Sequence, residues 1–174
     1  GCPWDKVGRS GSAGFRRSVA LKGYLEHMFL GQYHHSLDSK DRLTVPARFR
    51  EFLGNFIFVT MGLDKNLLVL TEASFLAMSQ SLQDKSLTDP LTRDLRRLIF
   101  ANASQLDIDN AGRILIPKYL RDVVGINNEV VLVGQFDYIE VWAPEEWNKR
   151  MQLMQDETNA QRFVALDLAT RHGA

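Results

Sequence analysis

The chain has one cysteine, Cys2, so it cannot close an internal disulfide, and that residue lies outside every patterned stretch. Thiol chemistry has no support, and a reducing, cytoplasmic setting is expected. No run of about 18 apolar residues is present, the length a membrane-spanning helix needs. There is no excess charge either: 21 Lys and Arg balance 21 Asp and Glu. Whole-chain electrostatics therefore does not draw it to nucleic acid, and any such role must rest on segregated charge. The phosphate-cradling Gly-x-x-x-x-Gly-Lys-Ser/Thr, the dinucleotide Gly-x-Gly-x-x-Gly and the hydrolase Gly-x-Ser-x-Gly are all missing. His27, His34 and His35 are no metal set, because adjacent strand positions face opposite ways and no Cys or acidic ligand stands at metal spacing. Catalysis has no foothold. No cofactor, metal or small-molecule substrate is expected.

Residues 1–27 are Gly-rich at their start, aperiodic, and without a counterpart later in the chain. Val19-Ala20-Leu21, broken by Lys22 and Gly23, is too short an apolar core for a secretory signal. The first methionine is Met28. This segment reads as an extension of the kind a misplaced start would add, and it is expected to be poorly ordered.

What is present is a repeat. Residues 37–50, Leu-Asp-Ser-Lys-Asp-Arg-Leu-Thr-Val-Pro-Ala-Arg-Phe-Arg, recur as residues 108–121, Ile-Asp-Asn-Ala-Gly-Arg-Ile-Leu-Ile-Pro-Lys-Tyr-Leu-Arg. The register continues through Glu51 with Asp122 and Gly54 with Gly125, and after a one-residue slip through Gly62 with Gly134 and Phe75 with Trp147. An internal repeat fixes architecture before any single motif does. Each unit is too small to bury a comfortable core alone, so the two should pack on each other and on further copies of the chain. Positive charge gathers in the motifs, at Lys40, Arg42, Arg48, Arg50, Arg113, Lys118 and Arg121, while Glu145, Glu146, Asp156 and Glu157 crowd the C-terminal part.

The elements of each unit are legible. Tyr33, His35 and Leu37 alternate with polar neighbours, as do Ser104, Leu106 and Ile108, which is the period of a half-buried strand. Asp-Asn-Ala-Gly at 109–112 then turns the chain back into Arg113-Ile114-Leu115-Ile116 as a second strand. Pro46 and Pro117 open short helices through Phe49, Phe52 and Leu53 and through Tyr119, Leu120 and Val123, ending at Gly54 and Gly125. Two more strands close each unit as ββαββ: 56–60 with 67–70, and 130–133 with 138–142. A helix capped by Thr71 carries Phe75, Met78 and Leu82, and one opened by Pro144 carries Trp147, Met151 and Met154. Between the units, a helix from about Pro90 sets Leu91, Leu95, Leu98 and Ile99 against Arg93, Arg96 and Arg97, the latter best read as a solvated face.

In each motif an Asp and an Arg stand four apart across a turn, Asp38 with Arg42 and Asp109 with Arg113. The carboxylate fixes the turn and aims the guanidinium, a planar donor fork suited to phosphate or to a guanine edge. One such pair would be read as a turn beside a solvated Arg. Repetition with the same downstream Pro and Arg makes a DNA reader the better account. Lys40, Arg48 and Lys118 flank the two readers as further cations.

These residues resemble the MraZ family, bacterial regulators encoded at the head of the division and cell wall gene cluster. Met28-Phe29-Leu30-Gly31 and the two passages from Leu37 to Pro46 and from Asp109 to Pro117 carry the resemblance. It implies AbrB-like swapped-hairpin repeats forming a double-split barrel, ring-like homo-oligomers, association with the nucleoid, and repression through short direct repeats of double-stranded DNA in the family member's own promoter. It also implies that Arg42 and Arg113 make the DNA contact, with Lys40 beside the first and Asp38 and Asp109 shaping the turns. Asp41 stands where the family usually has Gly, and Leu30 where a basic residue is common; an acidic neighbour can weaken or redirect the first reader, so the second is the safer assignment.

The fold class expected is α+β, with residues 28–74 as the first repeat, 75–102 as a helical connection, 103–146 as the second repeat and 147–174 as a C-terminal helical segment. The competing class is an oligomeric protein-interaction module or an antitoxin-like AbrB-fold protein. Against the antitoxin stand two complete units in one chain and an amphipathic helical C-terminus.

Overall fold

The computed structural model describes residues 28–164 and 166; the expectations placed on residues 1–27, including Cys2 and His27, lie outside the described residues. β1 (Gln32–Ser36) and β2 (Leu43–Thr44) flank the first motif turn, and α1 (Ala47–Arg50) follows. β3 (Phe56–Met61) and β4 (Leu67–Leu70) lead into α2 (Glu72–Gln83) and α3 (Pro90–Phe100). The second unit repeats the order as β5 (Ser104–Asp107), β6 (Arg113–Ile114), α4 (Lys118–Val124), β7 (Glu129–Gly134) and β8 (Tyr138–Trp142), followed by α5 (Pro144–Gln155) and α6 (Glu157–Val164). The architecture is α+β with antiparallel pairing, and no helix among the described residues is long and apolar enough to cross a membrane.

The two units interleave. The large sheet runs β1-β7-β8-β4-β3-β5, so the first strand of each unit lies beside the third strand of the other, and β2 pairs with β6 in a separate ribbon. The later hairpins of the two units, β3 with β4 and β7 with β8, form as expected, but the pairing of the two strands that flank each motif turn is corrected here. Only Arg113–Ile114 of the 113–116 stretch is strand, and its partner is Leu43–Thr44 of the other unit, with Leu43 opposite Ile114 and Thr44 opposite Arg113. Within the first unit the β-pairing across the turn is limited to the isolated bridge between Leu37 and Leu43. The cause is burial: Leu43, Val45, Ile114 and Ile116 all enter one core shared by both units, which neither could fill alone.

Alternation along the strands separates the two sheet faces. Val130 and Leu132 enter the shared core, while Val131 and Val133 join Trp142 and Trp147 beneath α5. On β3, Ile57 and Val59 face the core and Phe58 stacks on Phe75 of α2 at 4.2 Å. Thr60, fully buried, donates its hydroxyl to the Ile99 carbonyl at 2.5 Å and ties α3 to the sheet. The Thr71 side chain accepts from the Ser74 N–H, capping α2.

Several helix details differ from the sequence reading, and α1 ends at Arg50 rather than running through Phe52 and Leu53 to Gly54. Pro46 and Pro117 are the residues before α1 and α4 rather than their first turns. On α4 the buried residues are Leu120, Arg121 and Val124, whereas Tyr119 and Val123 face outward. Leu91, at the start of α3, is 75% exposed, leaving Ile99 as the buried anchor of that helix.

Gly134 marks a backbone crossing. A Cβ there would stand 2.4 Å from the Phe29 carbonyl carbon and 2.5 Å from the Leu30 nitrogen. That crossing is fixed by exchanged hydrogen bonds between Phe29 and Phe136 and by the Gly134 N–H to the Gly31 carbonyl at 2.8 Å. Gly134→Ala is expected to cost about 1 to 3 kcal/mol by overpacking, seen as a lower denaturant midpoint; an unchanged midpoint would contradict the crossing.

Candidate nucleic-acid interface

The two motif turns are built alike. In the first, one oxygen of Asp38 accepts from the backbone N–H groups of Lys40 at 2.9 Å and Arg42 at 3.0 Å. Its other oxygen accepts from Arg42 Nε at 2.8 Å and stands 2.7 Å from Nη2. The Asp38 N–H donates to the Arg42 carbonyl at 2.9 Å and the Asp41 N–H to the Asp38 carbonyl at 2.9 Å, closing the turn. In the second, Asp109 accepts from the Ala111 and Arg113 N–H groups at 2.9 Å each on one oxygen, and from Arg113 Nε at 2.8 Å on the other, with Nη2 also 2.8 Å away. The carboxylate thus organises the backbone with one oxygen and holds the guanidinium with the other, as the four-residue spacing predicts.

What the sequence does not disclose is that the two turns meet. Because β2 pairs with β6, Arg42 Nη1 lies 3.8 Å from the Asp109 carboxylate and Arg113 Nη1 lies 3.9 Å from that of Asp38. The four side chains form one charge-balanced cluster, each about one-third exposed. A guanidinium has five donors, and its own Asp engages Nε and one side of Nη2, so each Arg keeps donor capacity at Nη1, which lies beside the opposite turn's carboxylate without a hydrogen bond to it.

These bonds hold both carboxyls below the ordinary Asp value of 3.8. For Asp38 the guanidinium of Arg42 is the largest cause and its backbone N–H the next. For Asp109 the order is reversed, the Arg113 backbone N–H leading. A carboxyl whose pKa is lower in the folded state gives stability that is complete above the unfolded value and lost as pH falls through the folded one. Stability is therefore expected to fall on acidification below 3.8, and Asp38→Asn with Asp109→Asn should flatten that fall. Part of the slope should remain, since Asp89 and Glu146 are lowered in the same direction by their hydrogen bonds from Thr92 and Lys149. Acid titrations of the two proteins that superimpose would refute this role.

The remaining expected site residues divide. Lys40 and Arg48 are exposed and, among the described residues, have no ion-pair partner. Lys118 is held by Asp122 one helical turn on, at 2.7 Å. The Asp41 carboxylate is not paired with Arg42: it goes across the unit boundary to Arg121 Nη2 at 3.0 Å. Sequence reasoning counted Arg50 and Arg121 only as part of the positive charge of the motifs. Both reach over the opposite unit's turn, Arg50 through Nη1 to the Ala111 carbonyl at 3.3 Å. The mismatch of Asp41 with Gly112 in the repeat was the available signal.

Elsewhere, Arg97 pairs with Asp94 at 2.8 Å, Arg93 donates to the Leu87 and Thr88 carbonyls, and Arg96 lies over the Phe100 ring. His34 is exposed and His35 half-buried, and no group of three metal-ligating side chains forms among the described residues.

Comparison with known proteins agrees with the repeat. The family model described as MraZ protein, putative antitoxin-like, matches twice, over residues 28–98 and 99–167. The chain is 38% identical to the transcriptional regulator MraZ of Thermomicrobium roseum over 141 residues, covering 80% of this chain and 99% of that protein. It is 39% identical to the protein of the same name from Herpetosiphon aurantiacus over 133 residues, 76% of this chain and 93% of that one. Against the one from Moorella thermoacetica it is 37% identical over 143 residues, 81% of this chain and 100% of the other.

Proposed function

The chain belongs to the MraZ family, and from that premise we propose that it is a sequence-specific DNA-binding transcriptional regulator whose DNA-contacting surface is the paired Asp-x-x-x-Arg turns. The observation that carries this reading is the meeting of Arg42 and Arg113 across β2 and β6, each held on its own Asp and still about one-third exposed. A β-ribbon that presents two oriented guanidinium groups at one edge suits a DNA groove, where Arg pairs with guanine or phosphate. The interleaving of strands between the units supports the swapped-hairpin double-split barrel as its scaffold. The regulator acts as a repressor of its own division and cell wall gene cluster, in the cytoplasm and on the nucleoid, and it performs no catalysis.

Affinity comes from repetition. One chain presents few phosphate-directed cations and no net charge, so its own affinity is weak; a ring-like homo-oligomer on evenly spaced direct repeats gains through effective concentration. Light scattering at micromolar concentration should give a mass several times that of one chain, and a stable monomer would remove the avidity argument. The test of function is binding to the duplex upstream of the protein's own gene across a salt titration. Specific binding that weakens steeply with salt is expected. Salt-insensitive failure to bind, with the fold intact, would favour the interaction-module or antitoxin-like reading instead.

A further inference from the structure

The two turns are not equivalent, and the difference lies at one position. Asp41 and Gly112 occupy the same place in the repeat, and both are left-handed, with φ of +60° and +74°. Gly112 lets Arg50 lie flat across it: a Cβ there would stand 2.1 Å from Arg50 Cδ and 2.7 Å from Nε. In that pose Arg50 is exposed at the tip of the second turn, with Nη1 on the Ala111 carbonyl. Its counterpart Arg121 has no such berth, because Asp41 brings a Cβ into the same space. Arg121 folds inward instead, donates Nε to its own Ile116 carbonyl at 3.2 Å, and meets Asp41 at 3.0 Å. Its side chain is 9% exposed against 61% for Asp41.

We propose that Asp41 is a positioning residue that clasps Arg121 away from the surface formed by the paired turns, so that the first turn binds DNA more weakly than the second. This rests on the DNA-binding reading of those turns. At the second turn the exposed group beyond the Asp109–Arg113 pair is a cation, Arg50. At the first the exposed groups are Lys40 and the Asp41 carboxylate, which oppose each other, while the Arg is withdrawn. A left-handed Asp is also strained relative to Gly, so the position is occupied at a conformational cost that the cross-unit ion pair offsets. The consequence is polarity: a ribbon with near two-fold symmetry in its backbone carries a strong and a weak contact, and it distinguishes the two orientations of a DNA site.

The test uses the full chain, the duplex upstream of its own gene, and fluorescence anisotropy at several salt concentrations, with a thermal melt for each variant. Asp41→Gly should tighten binding several-fold and steepen the salt slope by about 0.9 for each first turn on DNA, as Arg121 swings out to a phosphate. Arg121→Met should weaken binding by baring the Asp41 carboxylate, and the double variant should return to wild-type affinity or better. A folded Asp41→Gly protein with unchanged or weaker binding would overturn the clasp. So would a double variant as weak as Arg121→Met, which would mean that Arg121 itself touches DNA; this pair decides the matter even if Asp41→Gly melts early. Failure of the wild-type protein to bind the duplex at any salt is a separate result and overturns the DNA reading beneath it.

Discussion

Phe49→Ala is expected to cost about 3 to 5 kcal/mol of folding stability, the range for deleting a buried phenyl ring, a large share of the roughly 5 to 15 kcal/mol that holds a domain folded. Phe49 is fully buried. Its ring meets those of Phe29 at 5.3 Å and Tyr33 at 5.0 Å, both edge-on, an arrangement that adds to area burial. Those partners come from different elements, the bridge at Phe29 and β1, and Phe49 itself sits on the four-residue helix α1. A helix so short has no stability of its own, so the ring is what holds it. Calorimetry or urea unfolding should show the loss, together with a less cooperative transition. A variant that melts within about 1 kcal/mol of wild type would mean that α1 is not anchored through this ring.

The second large effect is on binding. Arg42→Ala and Arg113→Ala are each expected to abolish specific DNA binding at physiological salt while lowering the melting temperature only slightly. A single Arg contact to a base or phosphate is worth about 1 to 3 kcal/mol, and an assembly loses it once per subunit engaged. The stability effect is small because each Arg is roughly one-third exposed, where an ion pair contributes little to folding. Arg113→Lys should fail nearly as badly, since an ammonium cannot reproduce the Nε and Nη2 grip on Asp109 that aims the remaining edge. Asp38→Ala and Asp109→Ala should lose binding and stability together, because each carboxylate also holds two backbone N–H groups of its turn. Arg variants that bind normally, or that fail only because they unfold, would make the motif structural.

Much of this was legible in the residues, for identifiable reasons. The repeat is a comparison of the chain with itself and needs no knowledge of packing. The turn chemistry is local: a carboxylate four residues before an Arg has few places to go, and Asp38 and Asp109 go there. Strand alternation and the Thr71 cap are likewise short-range. What was illegible is whatever depends on a partner distant in sequence. A two-residue strand such as Arg113–Ile114 has no periodicity to reveal its neighbour, so its pairing with Leu43–Thr44 across the unit boundary could not be read. The outward placement of Tyr119 and Val123 follows from Arg121 taking an inward position on α4, and a buried Arg is unreadable until Asp41 is seen to reach it.

The most direct test of the central claim places a photoreactive amino acid at Ser39 or Asn110, at the tips of the two turns, and at Gln80, on the exposed side of α2. After irradiation with the duplex from upstream of the protein's own gene, crosslinks are expected from positions 39 and 110 and none from 80. Crosslinking from position 80 with silence at both turn tips would contradict the account.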